Sequence, residues 1–152
     1  MIAASRFPVT PQSLEIEITE RVFLNEDSDK VLSALKALKA AGVRIALDDF
    51  GSGFASLSHL RTFPVDVIKI DRTFVNGCLR RPDDNAIVQA ILLLARVMEL
   101  DVVAEGIEQE DELTALKSYG CGYGQGYLFS HPLPQTEAQL WLRALTTQRD
   151  VA

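Results

Sequence analysis

The sequence has little of what marks several large protein classes. It carries two cysteines, Cys78 and Cys121, in 152 residues. Their separation fits neither a metal ribbon nor a disulfide framework, so reduced thiols in a cytoplasmic protein are expected. The longest apolar run, Ala90–Ala95, is far too short to span a bilayer. The opening MIAASRFPVTPQS lacks the basic-then-apolar order of a secretory signal. Net charge is −6, and the only basic cluster is the LRR of Leu79–Arg81. That excludes a generic DNA- or RNA-binding face, which works by phosphate neutralisation. A small anionic ligand remains compatible, because metal ions supply positive charge locally. His59 and His131 show no ligand spacing. No linker, low-complexity tract or internal repeat is visible.

What is there is a regular exchange of two periodicities. LEIEITE (Leu14–Glu20) alternates as a strand does, and Ser28–Gly42 carries apolar residues at helical spacing up to a glycine. Val43–Asp49 predicts a strand, Ser56–Phe63 a short helix and Val65–Arg72 a strand. Asp83–Leu100 predicts a long helix with Asp83 as N-cap. Asp101–Ile107 predicts a strand, Gln109–Gly120 a helix, Gly126–Pro132 a last strand and Thr136–Leu145 a closing helix. Strict strand–helix alternation implies parallel strands joined by right-handed crossovers. The fold class is therefore α/β, either a doubly wound sheet or a (β/α) barrel.

The ionisable residues favour the barrel. Glu17 and Glu20, Asp48 and Asp49, Lys69 and Asp71, then Glu105 and Glu108 fall at the ends of successive strands, and Gln125 enters the fifth. In a barrel those ends form one mouth, where active sites lie. An open sheet would place a Gly-rich phosphate loop after its first strand, and none follows Glu20. Five strands fall short of the eight that close a barrel, so a partial barrel with open edges is expected. The span divides into a lead-in at 1–13, the domain at 14–145 and a tail at 146–152.

The acids suggest chemistry. Glu17, Asp48, Asp49 and Glu105 around one mouth repel one another unless hard divalent cations relieve the charge. Adjacent aspartates suit a two-metal site of the kind that cleaves phosphodiesters. Lys69, among those acids, would orient water or phosphate. A Schiff-base role would also suit a barrel strand, but neighbouring carboxylates keep the amine charged. FGSGFAS after the aspartates reads as a turn or a mobile positioning loop, and CGYGQGYLFSHP as turn chemistry or as aromatic contacts for a base.

In order and spacing, LEIEITE, IALDDFGSGFASLSHL, VDVIKIDRTFV, VVAEGIE and GYGQGYLFSHPLP resemble the motifs of the EAL domain family, bacterial cyclic di-GMP phosphodiesterases with a modified (β/α)8 barrel. The resemblance implies metal ligation by Glu17, Asp48, Asp49 and Glu105, with Asp48 shared between two ions. It implies that Lys69 contacts the catalytic water, that Glu20 anchors the loop after the aspartates, and that Glu108 and Gln125 support the centre. It further implies Mg²⁺ or Mn²⁺ as cofactor, inhibition by Ca²⁺, cyclic di-GMP as partner, linear pGpG as product, and self-association through the Asp49–Ser56 loop or open barrel edges. The family's Glu-Ala-Leu strand and an asparagine ligand have no counterpart in these residues. Both would lie before Met1, so impaired or absent activity is expected of this chain alone. The competing reading is a non-catalytic cyclic di-GMP-binding or protein-interaction module.

Overall fold

The computed structural model describes residues 10–24, 28–51, 53 and 57–149. Its elements in chain order are β1 (Glu15–Thr19), α1 (Ser28–Ala40), β2 (Arg44–Phe50), α2 (Leu57–Thr62), β3 (Val67–Ile70), α3 (Arg72–Gly77), α4 (Pro82–Val97), β4 (Asp101–Ala104), α5 (Glu110–Ser118), β5 (Tyr123–Gly124) and α6 (Gln135–Arg149). Short 3₁₀ turns precede and follow β1, at Pro11–Ser13 and Glu20–Leu24.

All neighbouring strands pair in parallel, in the order β1-β2-β3-β4-β5. That sequential order distinguishes the two fold candidates. Right-handed crossovers that always advance in one direction put every connecting helix on the same face of the sheet. A doubly wound sheet would reverse direction at a switch point. This is barrel winding, and the chain forms part of a barrel.

Strand periodicity then assigns the faces. Ile18, Ile45, Leu47, Ile68, Ile70, Val102 and Ala104 join one buried core with Leu35, Val75, Val88, Ile91, Leu92 and Leu116 from the helices. The opposite parity carries Glu15 and Glu17, Arg44 and Asp48, Lys69, and Asp101, with Glu105 following β4. One face is therefore a sheet–helix core, and the other is the polar inner wall of the barrel.

Several local expectations need correction. The final strand is Tyr123–Gly124, not Gly126–Pro132, and Gln125 follows it. Gly122, Gly124 and Gly126 give the segment little to pack in a ladder. A Cβ at Gly126 would lie 2.1 Å from the Ile107 carbonyl oxygen, so the chain passes there against backbone. Helix α4 starts earlier than expected. Arg81 is its N-cap and Pro82 opens it, because proline lacks the N–H that a first turn cannot use; Asp83 lies inside the turn rather than capping it. Helix α3, capped by Asp71 through the Thr73 N–H at 2.7 Å, was not expected. β4 ends at Ala104, so Glu105 and Glu108 stand in the loop after it. Of the loop after the aspartates, Ser52 and residues 54–56 lie outside the described residues.

Candidate metal centre at the carboxyl ends of the strands

In a regular strand Asp48 and Asp49 would point to opposite faces. The β2–β3 register breaks between Leu47 and Phe50, and Asp49 takes φ 54°. This bulge re-aims the chain and brings both aspartates to one rim. Asp48, Asp49 and Glu105 each present a carboxylate oxygen within 4.8 Å of the other two.

Lys69 stands at the focus. Its Nζ lies 2.6 Å from Glu17 Oε1, 2.7 Å from Glu105 Oε1 and 3.2 Å from Asp48 Oδ1. The lysine side chain is only 7% exposed. Burial alone would pull the ammonium's pKa down, but the hydrogen bonds it donates to Glu105 and Glu17, with the Asp48 carboxylate close by, outweigh it and hold it well above the usual lysine range. Lys69 is thus a fixed cation and donor. Glu17 reaches the acid cluster through Lys69 rather than joining it directly.

The acids are under-compensated. Burial raises the Asp49 carboxyl, and repulsion from Asp48 and a shared hydrogen bond with Asp71 raise it further. Burial also raises Glu105, although Lys69 pulls it back in part. Burial pushes Asp71 up as well, yet its hydrogen bonds with Thr73 win and lower it. Asp48 Oδ1 is buried and 3.2 Å from the ammonium, but out of hydrogen-bond alignment. An all-oxygen set with a buried acceptor left open and raised carboxyls suits a hard divalent cation.

The remaining expected residues surround this cluster. Glu20, 5% exposed, accepts the Gly51 N–H at 2.9 Å. A Cβ at Gly53 would lie 2.8 Å from its other oxygen, so Glu20 bonds the chain at Gly51 and leaves no room for a side chain at Gly53. Glu108 and Gln125 are exposed and line a cavity of about 220 Å³ with Arg72, Glu105, Gly106 and Tyr127. Strand spacing puts Asp71 at the mouth but gives it no part in the centre, where it shares a hydrogen bond with Asp49; it does not single out Arg72. No helix among the described residues is long and apolar enough to cross a membrane.

The model of the EAL domain family matches residues 2–132. The chain is 40% identical over 131 residues to the cyclic di-GMP phosphodiesterase NbdA of Pseudomonas aeruginosa, covering 86% of this chain and 17% of NbdA. It superposes on the EAL domain of Mycobacterium smegmatis DcpA with a TM-score of 0.86 at 39% identity, covering 93% of this chain and 63% of that one. The manganese/cyclic di-GMP complex of BlrP1 from Klebsiella pneumoniae matches with a TM-score of 0.75 at 37% identity, over 82% of this chain and 32% of BlrP1. The chain thus spans about a fifth or less of the length of the curated relatives it matches.

Proposed function

This chain belongs to the EAL domain family, and we propose that its acid-lined mouth is the metal centre of a cyclic di-GMP phosphodiesterase. The observation that carries the reading is Lys69 held between Glu17 of β1 and Glu105 after β4, beside the Asp48–Asp49 pair. Asp48, Asp49 and Glu105, whose oxygens already converge, would hold Mg²⁺ or Mn²⁺, and Glu17 would join them by turning from Lys69. The bound ions would supply Lewis-acid charge for hydrolysis of one phosphodiester bond. BlrP1, a manganese complex, supports that assignment of the cofactor.

The protein's own groups have distinct parts in this reading. Lys69, kept protonated, donates to the attacking water or to a phosphate oxygen; it has no lone pair with which to form an imine or act as base. Glu20 holds the Gly51 turn and so the backbone that carries Asp49. Gln125 and Glu108 border the adjoining cavity, where they bound the space open to solvent and substrate. One water adds across one P–O bond, opening the ring to linear pGpG.

The resemblance assigns two further ligands, in a Glu-Ala-Leu motif and an asparagine, to residues not among these 152. We therefore expect the polypeptide of these residues alone to hydrolyse cyclic di-GMP slowly or not at all, and its open edge strands β1 and β5 to pair with further chain or with a second copy. The decisive measurement is calorimetric titration of cyclic di-GMP with and without Mn²⁺, together with turnover assays. Metal-dependent binding abolished by Asp48→Asn supports the reading. Tight metal-free binding that Asp48→Asn leaves unchanged would replace it with a non-catalytic binding module.

A further inference from the structure

We propose that Arg44 is a positioning residue for the metal centre, although it lies at the far end of the sheet from it. The inference rests on the reading of that centre given above. Arg44 Nη2 lies 2.6 Å from Asp101 Oδ2 of β4, and its Nε lies 3.3 Å from Glu15 Oε2 of β1. One guanidinium therefore ties β1 and β4 to β2, across the start of β3. The same inner-wall residues, with Val67, Val103 and Tyr123, line a cavity of about 390 Å³.

Strand periodicity connects this clamp to the acids. Glu17 is two residues beyond Glu15, Asp48 four beyond Arg44, and Glu105 four beyond Asp101. Even offsets keep Glu15 with Glu17 and Arg44 with Asp48 on one face, and Glu105, one residue past β4, stays beside β3 through its N–H to the Ile70 carbonyl at 3.2 Å. The β1–β2 register runs unbroken from Glu15↔Arg44 to Thr19↔Asp48, and β3–β4 from Val67↔Asp101 to Ile70↔Ala104. The inner face thus has two cationic pins. Lys69 draws Glu17 and Glu105 together at the mouth, and Arg44 draws the same two strands together at the base. Arg44, Glu15 and Asp101 are each about 40% exposed, so such pairs contribute little stability. Their geometry, a fork gripping two strands, constrains spacing instead.

The test compares Mn²⁺ affinity and apo melting temperature for the full chain and its variants. Arg44→Met and Asp101→Asn should each weaken Mn²⁺ binding by roughly threefold to tenfold, with the double variant no worse than the poorer single one. Arg44→Lys should recover part of the loss. Lys39→Met, which removes the ion pair to Asp66 beside the same strands, should leave affinity unchanged. The proposal is overturned if folded Arg44→Met and Asp101→Asn bind Mn²⁺ as the parent does. It is equally overturned if affinity loss simply follows melting temperature across all variants, Lys39→Met included. Should Arg44→Met fail to fold, Asp101→Asn and Arg44→Lys decide the matter. Failure of the parent to bind Mn²⁺ would instead remove the reading of the centre itself.

Discussion

Glu20 Oε1 accepts the backbone N–H of Gly51 at 2.9 Å, so a buried carboxylate just past β1 fixes the turn just past β2. Glu20→Ala leaves that N–H without its partner and should destabilise the fold by about 1–3 kcal/mol. Glu20→Gln keeps an acceptor oxygen of the same reach and should lose much less. Urea unfolding of both variants, paired with Mn²⁺ titration, checks the order; equal losses would mean the carboxylate acts by charge rather than by its hydrogen bond.

The raised carboxyls of Asp49 and Glu105 fix the sign of a pH effect. A carboxyl raised in the folded state binds protons more tightly there than in the unfolded chain. Its stabilising contribution is complete below the unfolded value and is lost as pH rises through the folded one. The metal-free protein should therefore gain stability near neutral pH from Glu105→Gln or Asp49→Asn. Both variants should forfeit the rise in melting temperature expected of the parent on adding Mn²⁺. Thermal melts from pH 4 to 7.5, with and without Mn²⁺, measure both.

Lys69 works in the opposite direction. Held above the usual lysine range by Glu105, Glu17 and Asp48, it should resist borohydride trapping with carbonyl compounds at pH 8, where a depressed amine would react. Lys69→Met leaves its acids unpaired and should lower the apo melting temperature, and added Mn²⁺ should restore more of it than in the parent. A mass spectrum showing a reduced adduct on Lys69 would reject this description of the site.

Gly106 has φ 68° and a hypothetical Cβ 2.5 Å from Arg72 Cβ. Gly106→Ala combines an unfavourable backbone angle with a clash at the residue after Glu105. A loss of about 1–3 kcal/mol is expected, together with weaker Mn²⁺ binding. Denaturant midpoints test the first and titration the second.

The sequence made the alternation and the gathering of acids legible because both are periodic. Polar residues at the ends of four apolar strands are visible without coordinates. What stayed hidden depends on departures from period or on distant partners. The bulge that turns Asp48 and Asp49 to one side breaks the very alternation used to assign faces. β5 shrank to Tyr123–Gly124 because glycines paired with aromatics look like strand material yet pack poorly. Helix α3 is too short for a helical pattern to register. The Arg44 clamp joins residues 29 and 57 positions away, a relation that only the sheet order supplies.

The left-handed backbone at Asp49 has an evolutionary corollary. Asparagine and glycine adopt that angle with the least strain, and each differs from aspartate by a single nucleotide. On the reading proposed above, a lineage could surrender the metal ligand at this position without endangering folding. Mutational drift toward shape-preserving descendants would meet almost no structural resistance there, so under that reading selection on metal binding, not on folding, would hold the acid in place.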